Sequence, residues 1–235
     1  MNPTLIFSLC LGAASLMAPM ARGQAPPGPQ GDTAAAKTAL DLLIEGVEAR
    51  TSTITDYEAR FSQTVTRKHL PRPLKRSGVV YFKKPGMMRW DYRVPERVYY
   101  ISDGEVLWSY EAREKLAYKL PVKDSELYSA LKFLFGQGQL REEFSIRAVA
   151  APKGLAGLEL TPLTPQSGYT KLILEVDDAT YEIRSTILFD PIGNQSRVSF
   201  EGAVTSKTLK AEAFHFTPPE GVRVENLTRQ RGDAP

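Results

Sequence analysis

Cysteine is nearly absent from this chain: Cys10 is the only one in 235 residues. It lies in an apolar N-terminal segment expected to be removed, so the mature chain holds none. That excludes disulfides, thiolate zinc sites, iron–sulfur clusters and cysteine nucleophiles. Histidine is scarce too, with two residues. His69 falls in a proline-rich loop, and His215 stands between Phe214 and Phe216, where strand alternation turns it from their face. Both read as surface residues. There is no His-x-x-x-His zinc spacing, no Gly-x-Ser-x-Gly elbow and no glycine-rich phosphate loop. Asp177-Asp178 is an adjacent pair that points two ways, and Asp103-Gly104 reads as a type I′ turn. No catalytic set can be assembled, so the expectation is a non-enzyme with no cofactor and no metal. An excess of one charge is also missing. The 30 Lys or Arg against 27 Asp or Glu leave a net +3, too balanced to argue for nucleic acid. Beyond Met20 no apolar run is long enough to span a bilayer.

What is present falls into ordered blocks. Residues 5–20 are apolar and uncharged, and Ala21-Arg22-Gly23 follows, which reads as a signal peptide over 1–23, cut after Gly23 or alternatively after Ala25. The mature chain is then exported and soluble. Residues 24–32, rich in proline and glycine, form a flexible leader. Thr33 caps a helix to about Arg50 with Leu40, Leu43, Ile44 and Val47 on one stripe. Residues 56–66 alternate strictly, placing Tyr57, Ala59, Phe61, Gln63 and Val65 on one face of a half-buried strand. Further strands are expected at 75–83, 115–120, 143–150, 157–161, 170–176, 181–189, 196–200 and 212–216. A second helix over 124–135 carries Leu127, Leu131, Leu134 and Phe135 at helical spacing.

Residues 84–110, KPGMMRWDYRVPERVYYISDGEVLWSY, are the most informative run. Turn formers divide it into three strands. One bulky face is expected to hold Met88, Trp90, Tyr92, Tyr99, Ile101, Val106, Trp108 and Tyr110. Such a face either fills a tight core or lines a greasy hollow. Lys84, just before Pro85, reads either as a solvated edge charge or as a donor reaching a helix-end carbonyl across a cavity mouth. So many short strands with two helices and no βαβ rhythm imply a strongly curved antiparallel sheet, an incomplete and unclosed β-barrel of about 11 strands, covered by a helical lid.

In order and spacing, the chain resembles the LolA family of periplasmic lipoprotein carriers. The resemblance runs from about Leu40 to Asn226. It rests on Phe61-Ser-Gln, Gly78 with Tyr81-Phe82, Lys84-Pro85-Gly86 with Arg89-Trp90, Pro95, and Ser102-Asp103-Gly104 with Leu107-Trp108-Ser109-Tyr110. Downstream follow Leu134-Phe135-Gly136, Leu140 with Phe144, residues 158–162, Asp190 with Gly193-Asn194, and residues 214–222. The resemblance implies a single carrier domain over 33–227 with a polar tail at 228–235. It also implies triacylated lipoproteins as cargo, taken from an inner-membrane LolCDE-type ABC transporter and passed to an outer-membrane LolB-type receptor by a periplasmic monomer. On this reading Phe61, Val65, Met88, Trp90, Tyr92, Tyr99, Ile101, Trp108, Leu131 and Leu134 line the acyl-chain cavity. Leu43 and Val47 belong to the lid helix. Lys84 stands where the family has an arginine that touches the lid, and lysine lacks that planar fork. The alternative is a carrier or sensor of another envelope lipid on the same fold.

Overall fold

The computed structural model describes residues 32–124, 139–205 and 207–227. Helix α1 (Asp32–Thr53) precedes β1 (Asp56–Thr66), β2 (Leu74–Lys83), β3 (Met87–Val94), β4 (Val98–Ser102), β5 (Val106–Glu111) and β6 (Leu116–Pro121). A short helix α2 (Leu140–Glu143) leads into β7 (Phe144–Val149), β8 (Leu155–Pro162), β9 (Lys171–Asp177), β10 (Ile183–Phe189) and β11 (Gln195–Val204). A 3-10 turn (Ala211–Phe214) and β12 (Arg223–Asn226) follow. All twelve strands share one sheet, in the order β12-β6-β5-β4-β3-β2-β1-β11-β10-β9-β8-β7. Two antiparallel meanders meet along β1–β11, and the edge strands β12 and β7 do not pair with each other. The barrel is therefore unclosed, as expected, with twelve strands among the described residues in place of about eleven.

Directly opposed residues of an antiparallel pair share a face. In β1 the odd-numbered residues turn inward, and Ala59, Phe61 and Val65 are buried. Their register carries this inner face across the sheet. Phe82 lies opposite Tyr57 and Met88, and Val80 opposite Ala59 and Trp90. On the other side Leu158, Leu160, Leu172 and Leu174 pair with one another. The concave floor is thus aromatic around β1–β3 and aliphatic around β8–β9. Helix α1 lies over it: Ile44 and Val47 are fully buried in the same core cluster, and Leu40 and Leu43 pack against that cluster.

Three expectations change. Trp90 lies opposite Tyr100 and Met88 opposite Ser102, so Tyr99 and Ile101 occupy the outer face, as do their partners Tyr110 and Trp108. The inner face continues through Tyr100, Leu107 and Ser109 instead. Parity across the turns decides this, and alternation within each strand does not reveal it. Residues 212–216 do not form a strand; a 3-10 turn occupies most of them. In the β4–β5 turn, positive φ is confined to Gly104 (+99°), while a type I′ turn needs it at both central positions. Asp103 Oδ1 instead accepts hydrogen bonds from the backbone N–H of Glu105 and Val106, each at 2.9 Å. The expected helix over 124–135, with Leu131 and Leu134, and the expected signal peptide lie outside the described residues.

The outer face of the β7–β11 half is ionic. Glu159 accepts from Arg147 (2.7 Å) and Lys171 (3.0 Å), and Glu175 accepts from both Arg197 nitrogens and from Ser185. Burial by itself pushes both carboxyls up, but these donors outweigh it and hold both below the usual carboxylate range. With folded values below the unfolded value of about 4.3, their stabilisation is fully present above about pH 5. It is lost as pH falls through the folded values. Far-UV circular dichroism from pH 6 to 3 should show this acid limb, and Glu175→Gln should flatten it. An unchanged limb in that variant would assign it to other groups.

Candidate functional site

The C-terminal end of α1 is held against the sheet by side chains from both flanks. From the β2–β3 turn, Lys84 Nζ donates to the carbonyls of Thr51 and Ser52, each at 2.9 Å. The last carbonyls of a helix have no partner within it, and a cation there also suits the helix dipole. Partial burial pushes the Lys84 ammonium below the ordinary lysine value. From the β9–β10 turn, Glu182 receives Arg50 at 2.6 Å and Arg184 at 3.3 Å. One turn of helix earlier, α1 lies on the ring of Tyr181. A Cβ on Gly46 would stand 2.6 Å from that ring, so only glycine admits the contact. Tyr181 itself adopts φ of +58°, which a bulky residue keeps only when its surroundings fix it. Helix α1 is also tied to α2: the backbone N–H of Leu140 donates to Glu48 at 2.7 Å, and nearer the N-terminus of α1 Arg141 pairs with Asp41.

Beneath this clamped end lies a cleft of about 50 Å³. Ile54, Tyr57, Phe82, Ile183 and Phe200 give it apolar walls, and Arg50 and Glu182 edge it. Its volume admits a few water-sized groups, far less than an acyl chain. The rest of the concave face is filled by its own side chains. Trp90 sits 4.9 Å from Phe61, 5.9 Å from Phe82 and 6.2 Å from Phe200, centroid to centroid. Tyr92 closes on Phe61 at 4.8 Å. Among the described residues the bulky inner face is therefore a packed core with an apolar opening at one end. Two buried polar atoms in this face, Trp90 Nε1 and Gln63 Oε1, have no hydrogen-bond partner among the described residues.

Of the residues singled out from the sequence, Phe61, Met88, Trp90 and Tyr92 come together in this core, with Val47 buried above them and Leu43 packed at its edge. Val65 is buried but outside that cluster. Tyr99, Ile101 and Trp108 belong to a separate outer cluster. There Phe216 meets Trp108 at 5.4 Å and Tyr110 at 5.2 Å, and Arg89 donates to the Ala213 carbonyl at 3.0 Å. The segment from the 3-10 turn to Phe216 thus straps the outer face, and Phe214 is buried in it. Sequence reasoning missed Arg50, Gly46, Tyr181, Glu182 and Ile183. Their link is long-range, and only Gly46, interrupting a helical stripe, signals a close approach. No helix among the described residues is long and apolar enough to cross a membrane.

A family model described as "Outer membrane lipoprotein carrier protein LolA" matches residues 52–217. The chain is 27% identical over 167 residues to an outer-membrane lipoprotein carrier protein of Dechloromonas aromatica, covering 71% of this chain and 79% of that one. It is 27% identical over 195 residues to the protein of that name from Bordetella pertussis, with 83% and 88% coverage. In fold it is similar to the crystal structure of an uncharacterized conserved protein from Thermus thermophilus, at a TM-score of 0.51 and 12% identity, over 80% of this chain and 99% of that one.

Proposed function

The chain belongs to the LolA family of outer-membrane lipoprotein carrier proteins, and from that premise we propose that it carries lipoproteins across the periplasm. In this reading it shields the acyl chains of triacylated lipoproteins released by a LolCDE-type ABC transporter. It then passes them to an outer-membrane acceptor, LolB or an equivalent. The work is binding and release, with no bond made or broken. The observation that carries the reading is the apolar cleft under the clamped end of α1, continuous in composition with an aromatic floor that α1 itself covers.

The energetics suit reversible exchange. Burying an acyl chain is worth about 0.8 kcal/mol per CH₂, so a 16-carbon chain represents on the order of 10 kcal/mol. Helix α1 sets Leu40, Leu43, Ile44 and Val47 against the same floor. Ile44 and Val47 are fully buried there and Leu40 and Leu43 partly, so at about 1.5–3 kcal/mol for a fully buried side chain the helix gains roughly 4–9 kcal/mol. Helix and acyl chain thus compete for one surface at similar free energy, so cargo binds and leaves without chemistry. The cleft walls Ile54, Phe82 and Ile183 meet the chain first. Displacement of α1 then opens the floor formed by Phe61, Met88, Trp90 and Tyr92. Trp90 Nε1 and Gln63 Oε1 offer a donor and an acceptor to the ester and amide groups of the lipid.

Lys84 acts as the latch. Losing its two bonds to α1 carbonyls removes roughly 1.5–3 kcal/mol from the closed form. Lys84→Leu should raise amide exchange in the last turn of α1 and leave lipoprotein held on the carrier when acceptor membranes are added. Wild-type exchange and transfer in that variant would reduce Lys84 to a surface charge. Cargo identity is tested by native mass spectrometry of protein purified from envelopes that contain inner-membrane lipoproteins. Bound triacylated lipoprotein supports the proposal; a free lipid in its place would favour a carrier of another envelope lipid.

A further inference from the structure

The two ends of the strands differ in what they present. One end holds α1's last turn, Lys84 and the β9–β10 turn. The opposite end, about 25 Å away along β3 at ~3.4 Å per residue, gathers the β1–β2, β3–β4, β5–β6, β8–β9 and β10–β11 connections. Residues 67–76 there carry Arg67, Lys68, Arg72, Lys75 and Arg76 and no acid. The β3–β4 turn adds Arg93 and Arg97 around Glu96. Among the described residues, Arg72, Arg93 and Arg97 make no ion pair; Glu96 is bound to Arg113 at 3.0 Å. A groove of about 440 Å³ lined by Arg89, Asp91, Arg93, Arg97 and Tyr99 opens on the outer face beside this end. On a chain whose net charge is +3, this is a local basic excess that solubility alone does not require.

The same end also exposes apolar side chains. Leu70, Val94, Leu163 and Ile192 are 51%, 54%, 58% and 59% exposed, and each stands at or beside a different connection. The backbone N–H of Lys68 donates to Asn194 Oδ1 at 3.0 Å, which sets the β1–β2 and β10–β11 connections side by side. We infer that this end is a docking surface for an anionic phospholipid bilayer. Apolar tips standing singly, with basic residues concentrated around them, match the headgroup layer. There each tip reaches the acyl boundary and each cation meets lipid phosphate. A protein partner would ask for a contiguous, desolvated centre with aromatic anchors, and this end has none among its exposed residues. Docking this way leaves the Lys84 end, with its cleft, facing off the membrane. The inference does not depend on what the concave face carries.

Flotation of the whole protein with unilamellar vesicles tests it. Vesicles of phosphatidylethanolamine with 30% phosphatidylglycerol should bind the protein at 50 mM salt and release it at 300 mM; pure phosphatidylcholine should not bind it. Each basic residue near an anionic surface is worth about fivefold in partition, so the triple variant Arg72→Gln, Arg93→Gln, Arg97→Gln should bind roughly a hundredfold more weakly. On a Cys10→Ser background, an environment-sensitive dye at Ile192→Cys should shift to the blue on anionic vesicles. The same dye at Val204→Cys, an exposed apolar position at the opposite end, should stay aqueous. Equal binding to both vesicle types, an equal shift at both dye positions, or undiminished vesicle binding by the triple variant would each overturn the inference. If the triple variant keeps vesicle binding but loses lipoprotein uptake from transporter-containing membranes, the occupant is a protein and the inference fails.

Discussion

Trp90→Ala is expected to cost about 3–5 kcal/mol and to lower Tm by roughly 6–20 °C. The indole is 4% exposed and touches aromatic rings from three other strands, Phe61 on β1, Phe82 on β2 and Phe200 on β11. Truncation opens a cavity where the two meanders join, and rings fixed by several strands cannot collapse into it cheaply. Trp90→Phe keeps most of the volume and removes the unpaired N–H, so its stability should lie within about 1.5 kcal/mol of the parent. If the N–H meets cargo, the Phe variant should bind lipoprotein more weakly without melting earlier. Trp108 serves as the control. It meets Phe216 of the outer strap edge to face and lies under Lys119, so Trp108→Ala should lower stability while leaving cargo affinity alone. Equal loss of cargo binding in the Trp90 and Trp108 variants would mean that carriage follows stability and not the inner face.

Gly46→Val is expected to dislodge α1. The added Cβ would enter the Tyr181 ring, with carbons of that ring at 2.6, 2.6 and 2.8 Å, so either the ring or the helix must move. The ring is the less free of the two, because Tyr181 is held at positive φ in a turn whose amide N–H bonds to the Asp177 carbonyl at 2.9 Å. Shifting the helix stretches the Arg50–Glu182 pair and the Lys84 bonds together. Overpacking of this kind typically costs about 1–3 kcal/mol. The lost coverage should show as strong binding of a hydrophobic dye and as faster amide exchange through the second half of α1. Tyr181→Ala combined with Gly46→Val should restore closure in part, since the colliding ring is gone. A Gly46→Val protein with native exchange and no dye binding would show that α1 is not the cover of the floor.

Much of this architecture was legible in the residues. The alternation of β1, the helical stripe through Ile44 and Val47, and the inward run Met88, Trp90, Tyr92 all follow from period alone. The assignment of Tyr99, Ile101 and Trp108 to that face failed for a specific reason. Period gives the two faces of each strand, but only the turn between strands says which face of the next one matches. The outer strap was hidden for the opposite reason, because Phe214-His215-Phe216 imitates strand alternation while a 3-10 turn sets its direction. Strand β12, with four residues and a parallel partner in β6, offers too little pattern to be read. At the candidate site, Lys84 drew notice through its place before Pro85. Arg50, Tyr181 and Glu182 did not, because an ion pair and a ring contact across more than a hundred residues leave no local trace.

The seam between β1 and β11 has a consequence for how the protein is made. Phe61 faces Phe200 and Val65 faces Ser196 across it, so the most central strand of the sheet acquires its second neighbour only when the chain is almost complete. Closing so long a loop is entropically costly, and non-local pairing of this kind slows folding. As the chain emerges, β1 can pair with β2 at once, yet its other edge stays open while residues through β10 follow. A strand with an unpaired edge and one greasy face invites association with other chains. Newly made protein is therefore expected to depend on holding factors, or on low local concentration, until β11 docks.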